Sequence, residues 1–210
     1  MWSRQQVNQQ FGVPWTQIPR VNVPGYDDRI PAVLMMLSSL FLSLSGAHVL
    51  HIFRTSPCKD ARDAAILSIN EGTFQNCNDP VIAADLIKVW FRELPTPLLQ
   101  CITPAQMELL IKDGEEKTRF HLHEWLHPSE HALLLWLLDL MITVAKHQDE
   151  NQMGLEQLAT VVAPNLFRCE TKNPMVAVIF AKTTVKFLQV VLQYRRAETA
   201  TLQKLFPETF

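Results

Sequence analysis

This sequence has no run of basic residues and no aromatics interleaved with cations, and its net charge is −2 over 210 residues. Those absences exclude the electrostatic footprint of a nucleic-acid binder, so no nucleic acid is expected as a partner. No Cys-x-x-Cys pair occurs either; Cys58, Cys77, Cys101 and Cys169 are scattered. A single domain of this length buries about 70% of the surface its unfolded chain exposes, so it needs neither disulfide staples nor a structural metal. A reduced, intracellular protein is the expectation. Arg4 is followed by polar Gln5, Asn8, Gln9 and Gln10 rather than by the apolar core of a secretory signal. Period-two alternation bounded by hairpin turns is missing, as are internal repeats and low-complexity tracts. The chain therefore reads as all-α.

Charge is missing from one long stretch as well. Between Ile30 and Phe53 there is no Asp, Glu, Lys or Arg, which meets the length criterion for a membrane-spanning helix. Ser38, Ser39, Ser43 and Ser45 nevertheless interrupt it at roughly helical intervals. Pro31 and Gly46 read as a first-turn proline and a terminating glycine. A mostly buried helix from Pro31 to Ser45 is expected, with no transmembrane segment, followed by a short extended or turn-like lead from Val49 to Phe53.

What is present is a series of helix signals. Residues 1–28, with Pro14, Pro19 and Pro24, read as an extended arm around the body. Helices are expected over Lys59 to Asn70, ended by Gly72; from Asp79-Pro80 to Leu94; and from Thr103-Pro104 to about Lys112. Lys112 to Arg119 reads as an exposed charged connection. A long apolar helix opened by Pro128 or Ser129 is the expected centre of the core, followed by Leu155 to Ala163. The last helix is expected from Asn173-Pro174 to about Arg196, with Val178, Ile179, Val185, Leu188, Val191 and Leu192 as its apolar side. The expected division is an arm over 1–28, a helical domain over 29–198 and a tail over 199–210.

The segment from Leu86 to Leu98 is the most informative. Leu86, Ile87, Trp90, Phe91 and Leu94 form one buried stripe at helical spacing, and Lys88 and Arg92 share another face. Pro95 stops the helix, so Arg92 lies in its last turn, where a cation suits the helix dipole. By themselves these features describe a well-terminated helix with two solvated cations. With its neighbours, however, Lys88 to Leu98 resembles the K-x-x-x-R-x-L-P-x-P-L segment of the RhoGAP domain. His51-Ile52-Phe53-Arg54-Thr55-Ser56 resembles that family's G-I-F-R-x-S loop. Asn151-Gln152-Met153, Leu158-Ala159 and Ala163-Pro164-Asn165-Leu166 resemble its N-x-M, L-A and A-P-N-L blocks. The three stand in the family's order, and softer similarity extends over nearly the whole chain. The wording from Leu86 to Thr96, with Thr103-Pro104-Ala105-Gln106, is nearest to the RhoGAP domains of plant Rop regulators.

The resemblance implies a single-domain multi-helix bundle of the RhoGAP type. It also implies a GTPase-activating protein, an activator rather than an enzyme itself, for a small GTPase of the Rho, Rac, Cdc42 or Rop kind in its GTP state. Arg54 would be the catalytic arginine finger, Lys88 and Asn165 partner contacts, and Arg92 a support of the finger loop. No cofactor of its own is implied, since GTP and Mg2+ travel with the GTPase, and the setting would be cytoplasmic, with any membrane recruitment left to partners or flanking domains. Read locally, Arg54 is also an ordinary arginine after an apolar run, and Asn165 a helix-terminating residue.

Two positions depart from the family pattern. His51 and Pro57 stand where glycines are usual, so a stiffer loop with weakened or redirected activity is an open alternative, down to a module that only binds GTP-loaded GTPases. A remoter alternative is a zinc hydrolase. His123-Glu124-Trp125-Leu126-His127 matches H-E-x-x-H, with His121 and His131 as additional candidate ligands. Pro128 disfavours a helix through His127, which that motif requires, so no metal site is expected.

Overall fold

A computed structural model describes residues 8–205, with side chains through residue 201. Residues 1–7 of the expected arm, with Arg4 and Gln5, and 206–210 of the expected tail lie outside the described residues.

The arm is irregular, as its prolines dictate. A 3-10 turn spans Trp15–Gln17, and β1 (Arg20–Val21) pairs antiparallel with β2 (Ile30–Pro31), Arg20 opposite Pro31 and Val21 opposite Ile30. Anchors at both ends hold it to the bundle. Phe11 is buried, the Asn70 side chain accepts from the Gln10 and Phe11 amides, and the Trp90 indole donates to Gln10 O at 2.9 Å. Tyr26 donates to Asp139 at 2.8 Å, and the same carboxylate receives a two-pronged contact from Arg195 at 2.8 Å. Arm and two helices thus share one polar cluster.

Helix α1 (Ala32–Ser43) has 12 residues, short of a bilayer span. Pro31 caps it in an extended conformation rather than opening its first turn. The expected terminating glycine is also displaced: Ser45 takes the left-handed conformation, φ 55°. Gly46 is required for a different reason, because a Cβ there would collide with the Phe41 ring. A 3-10 turn, Gly46–His48, follows.

Helix α2 (Lys59–Glu71) ends on Gly72 at φ 70°, as its sequence indicated. In α3 (Pro80–Arg92), Asp79 caps the Val81 amide with Pro80 at the first position. Burial on α3 exceeds the single expected stripe. Ala83, Ala84, Asp85 and Val89 are buried along with Leu86, Ile87, Trp90 and Phe91, which makes α3 a central element packed on α1. Helix α4 (Pro104–Asp113) opens with a reciprocal capping box between Thr103 and Gln106.

The expected exposed connection from Lys112 to Arg119 is instead the junction of two helices. Gly114, at φ 69°, breaks α4, and α5 (Glu115–Trp125) starts at once. Glu115 and Glu116 suit its N-terminal dipole, Thr118 bonds back to Gly114 O, and Thr118 and Leu122 are buried one turn apart. The acidic and basic residues there occupy a helix surface, not a loop.

Helix α6 (Pro128–Ala145) buries eleven residues, among them Leu133, Leu134, Trp136 and Leu137. Short α7 (Gln148–Asn151) and α8 (Leu155–Val162) precede a 3-10 turn, Ala163–Asn165. Helix α9 (Pro174–Leu205) packs against α4, α5, α6 and α8 and runs on through the residues expected as a tail. By length and hydropathy α6 and the Pro174–Thr201 part of α9 would suffice to cross a bilayer, but α6 supplies the core. The expected apolar side of α9 holds for Leu188, Val191 and Leu192, while Val178 and Ile179 are exposed, because the face turned to the bundle runs through Phe180, Thr184, Phe187, Leu188 and Val191 and leaves those two residues off it. The result is an all-α bundle, with one minimal β pair among the described residues.

Candidate functional site: the Arg54 loop

The loop from Val49 to Ser56 is built as a tight, inward-anchored turn. Ile52 and Phe53 are buried, and Phe53 meets the Phe41 ring edge-on with centroids 5.5 Å apart. His51 O is the hub, accepting from the Arg54 amide at 3.0 Å and from the Thr55 amide and hydroxyl at 2.9 and 3.2 Å. His51 and Phe53 both sit at positive φ, 55° and 64°. Left-handed angles cost a side-chain-bearing residue about 1–2 kcal/mol, so the surroundings must impose them. Histidine therefore takes a backbone conformation that a glycine would adopt more easily, at the cost of stored strain.

Two braces impose it. Lys88 Nζ donates to Phe53 O at 2.5 Å and pairs with Asp85 at 3.2 Å, and the two side chains are only 12% and 7% exposed. On the other side the His51 amide donates to Asn151 O at 2.8 Å. Fully buried Asn151 donates in turn to Ala47 O and Val144 O at 2.7 and 2.8 Å and accepts from the Met153 amide at 2.6 Å. Apolar anchors, a lysine and an asparagine thus fix the turn, and Arg54 projects from it. Arg54 is exposed, and its guanidinium has no hydrogen-bond or ion-pair partner among the described residues.

The remaining predicted residues fall out differently. Lys88 makes the loop-holding contact that the resemblance assigned to Arg92. Arg92 is exposed in the last turn of α3 and has no side-chain partner among the described residues. Asn165 is buried, and its amide nitrogen donates to Val161 O and Val162 O at 2.9 and 3.2 Å, which is the helix-terminating role available to it locally. Its amide oxygen remains free among the described residues. Asn151, quoted only as part of a motif, is the residue that sequence reasoning missed as a loop brace. Its signal was a polar side chain set between Val144 and Met153, both buried.

The H-E-x-x-H stretch is not one helix. Helix α5 ends at Trp125, Leu126 is extended (ψ 140°), and His127 caps α6 with its ring on Ser129. His121 is bound to Asp113 at 2.9 Å and stacks on Trp125. His123 and His127 therefore lack the one-turn spacing that a shared metal would need.

The site is thus an exposed arginine without a hydrogen-bond or ion-pair partner among the described residues, carried on a braced turn of a helical bundle. The RhoGAP domain family model matches residues 31–171. The chain belongs to the RhoGAP family. It is 31% identical over 187 residues to the Rho GTPase-activating protein gacA of Dictyostelium discoideum, covering 89% of this chain and 54% of that protein. To Rho GTPase-activating protein 1 of Arabidopsis thaliana it is 30% identical over 171 residues, covering 80% of this chain and 36% of that protein. The chain thus spans between about a third and about half of these relatives. Among solved structures, human Rho GTPase activating protein 15 superposes with a TM-score of 0.71 at 19% identity, covering 90% of this chain and 92% of that one. The BH domain of GRAF, the GTPase regulator associated with focal adhesion kinase, gives 0.60 at 14% identity over 79% of this chain and 94% of that one. Both likenesses concern the fold.

Proposed function

We propose that this protein accelerates GTP hydrolysis by a Rho-family small GTPase in its GTP state by inserting Arg54 in trans. The observation that carries this reading is the loop itself: an exposed arginine with no hydrogen-bond or ion-pair partner among the described residues, on a backbone held by Lys88 and Asn151. Phosphoryl transfer spreads negative charge over the transferring group and the bridging oxygen, and an arginine delivered there is worth about 10³ to 10⁵ in rate. Arginine suits the task because its planar fork stays charged and can touch two oxygens, whereas lysine is a single hydrated point charge. Pre-fixing the turn spares the complex the entropy of ordering it.

GTP and Mg2+ come with the partner, so the protein needs no cofactor for this role. Arg92 and the amide oxygen of Asn165 are the site residues left available to contact the GTPase, while Lys88 acts on the loop from beneath. Partners of this kind place the activity in the cytoplasm. The test is a single-turnover hydrolysis panel across Ras-, Rho-, Rac- and Arf-type GTPases. Acceleration confined to Rho-type members is expected; a folded protein that accelerates none of them would refute the proposal.

A further inference from the structure

Beside the finger loop lies a cluster that this function does not use. His48 ends the 3-10 turn that leads into the loop, and His147 and Glu150 flank the start of α7. His48 Nδ1 stands 2.8 Å from one Glu150 oxygen and His147 Nδ1 3.8 Å from the other. The two imidazoles touch, with centroids 3.9 Å apart, and the ligand atoms of all three residues lie within 4.8 Å of one another. Two imidazoles and one carboxylate, drawn from segments about a hundred residues apart, converge on one small volume.

We propose that His48, His147 and Glu150 bind one zinc-class divalent cation, and that the ion clamps the base of the finger loop. The donor set decides the metal class. Two imidazole nitrogens and one carboxylate suit zinc and its late transition-metal neighbours, whereas Mg2+ and Ca2+ take oxygen ligands. Three protein ligands leave a fourth, water-filled position on a tetrahedral ion. Tetrahedral ligand atoms stand roughly 3.3 Å apart, so the present spacings need only small side-chain rotations.

The clamp follows from the neighbours of the ligands. Ala47, next to His48, receives the Asn151 side chain at 2.7 Å, and Asn151, next to Glu150, receives the His51 amide at 2.8 Å. An ion joining His48 to Glu150 would tie together the same two segments, one residue away from the hydrogen bonds that hold the loop. Binding stands independently of the proposed function; its consequence for hydrolysis rests on that reading.

The test needs no GTPase. The protein is titrated with Zn2+ by calorimetry and with Co2+ by visible absorption. One ion per chain is expected, with a cobalt spectrum free of thiolate charge transfer, which separates this site from the four cysteines. His147→Ala and Glu150→Gln should each weaken binding by more than about tenfold, the least that even a lost outer partner of a metal ligand costs. His123→Ala should leave it unchanged. Zn2+ should also slow hydrogen exchange at the His51 amide. Absent binding, unaltered binding by folded His147→Ala and Glu150→Gln, or loss in His123→Ala would overturn the site. Unchanged His51 exchange with the ion bound would overturn the clamp.

Discussion

Lys88→Met tests the brace beneath the loop. The substitution keeps the length and apolar stem of the side chain and removes only the ammonium group. Two consequences follow from the geometry. Phe53 O, on a residue 1% exposed, loses its charged donor, worth about 1.5–3 kcal/mol. Asp85, 6% exposed, is left without its partner, and a buried pair broken on one side costs about 3–5 kcal/mol. Both losses come from the same ammonium and overlap, so the expected total is about 3–5 kcal/mol. In a domain of this size that corresponds to a fall in Tm of roughly 10 °C. Lys88→Met/Asp85→Asn removes the stranded carboxylate as well and should recover about 1–2 kcal/mol, with the Phe53 carbonyl contact still lost. Urea unfolding followed by far-UV circular dichroism measures all three proteins. A loss below about 1 kcal/mol in Lys88→Met would refute the brace, because a mere partner contact leaves stability untouched. So would a double variant no more stable than the single one.

Two further outcomes follow from the loop and its flank. His51→Gly should keep stability within about 1 kcal/mol, since relief of the left-handed angle is offset by the freer unfolded chain. His51→Val should lose more than about 1 kcal/mol, a β-branched residue resisting φ 55°; equal tolerance in urea unfolding would contradict the strain assignment. Cys58 stands at the N-cap of α2 just beyond the loop, where the nearby backbone amides of Ala61 and Asp60 favour its thiolate and hold its thiol below the usual range, whereas desolvation pushes Cys77 and Cys101 up. A lowered thiol carries more thiolate at a given pH, so alkylation of Cys58 should set in at lower pH than that of Cys77 or Cys101 in a mass-spectrometric labelling series. Labelling of Cys77 or Cys101 first would contradict it.

Helix starts were legible wherever a capping residue preceded a proline. Asp79-Pro80 and Thr103-Pro104 open α3 and α4 at those residues, because cap and pre-set φ act locally. Helix α5 was lost to its charge density, although Glu115, Glu116 and the buried pair Thr118 and Leu122 carry a helical pattern. Val178 and Ile179 were set on the apolar side of α9 with Leu188, Val191 and Leu192, but the helical stripe that faces the bundle passes through Phe180, Thr184 and Phe187, so two exposed apolar residues near the start of the helix masked its true phase. At the site, the motif singled out Arg54, and the described residues show it exposed without a hydrogen-bond or ion-pair partner. The reach of Lys88 to Phe53 O spans 35 positions in sequence, and the Asn151 brace likewise joins distant segments. No local pattern encodes such contacts; the loop-support role for Arg92 came from the family resemblance alone.

The central claim is that the Arg54 guanidinium supplies charge stabilisation to a partner's reacting phosphate. Its most direct test is the single-turnover rate constant of GTP hydrolysis by a responsive Rho-type GTPase, saturated with either the parent protein or Arg54→Ala. The account predicts that the variant binds the GTP-loaded partner with near-parental affinity and loses about 10³-fold or more of the acceleration. Arg54→Ala hydrolysing at the parental rate while correctly folded would contradict it.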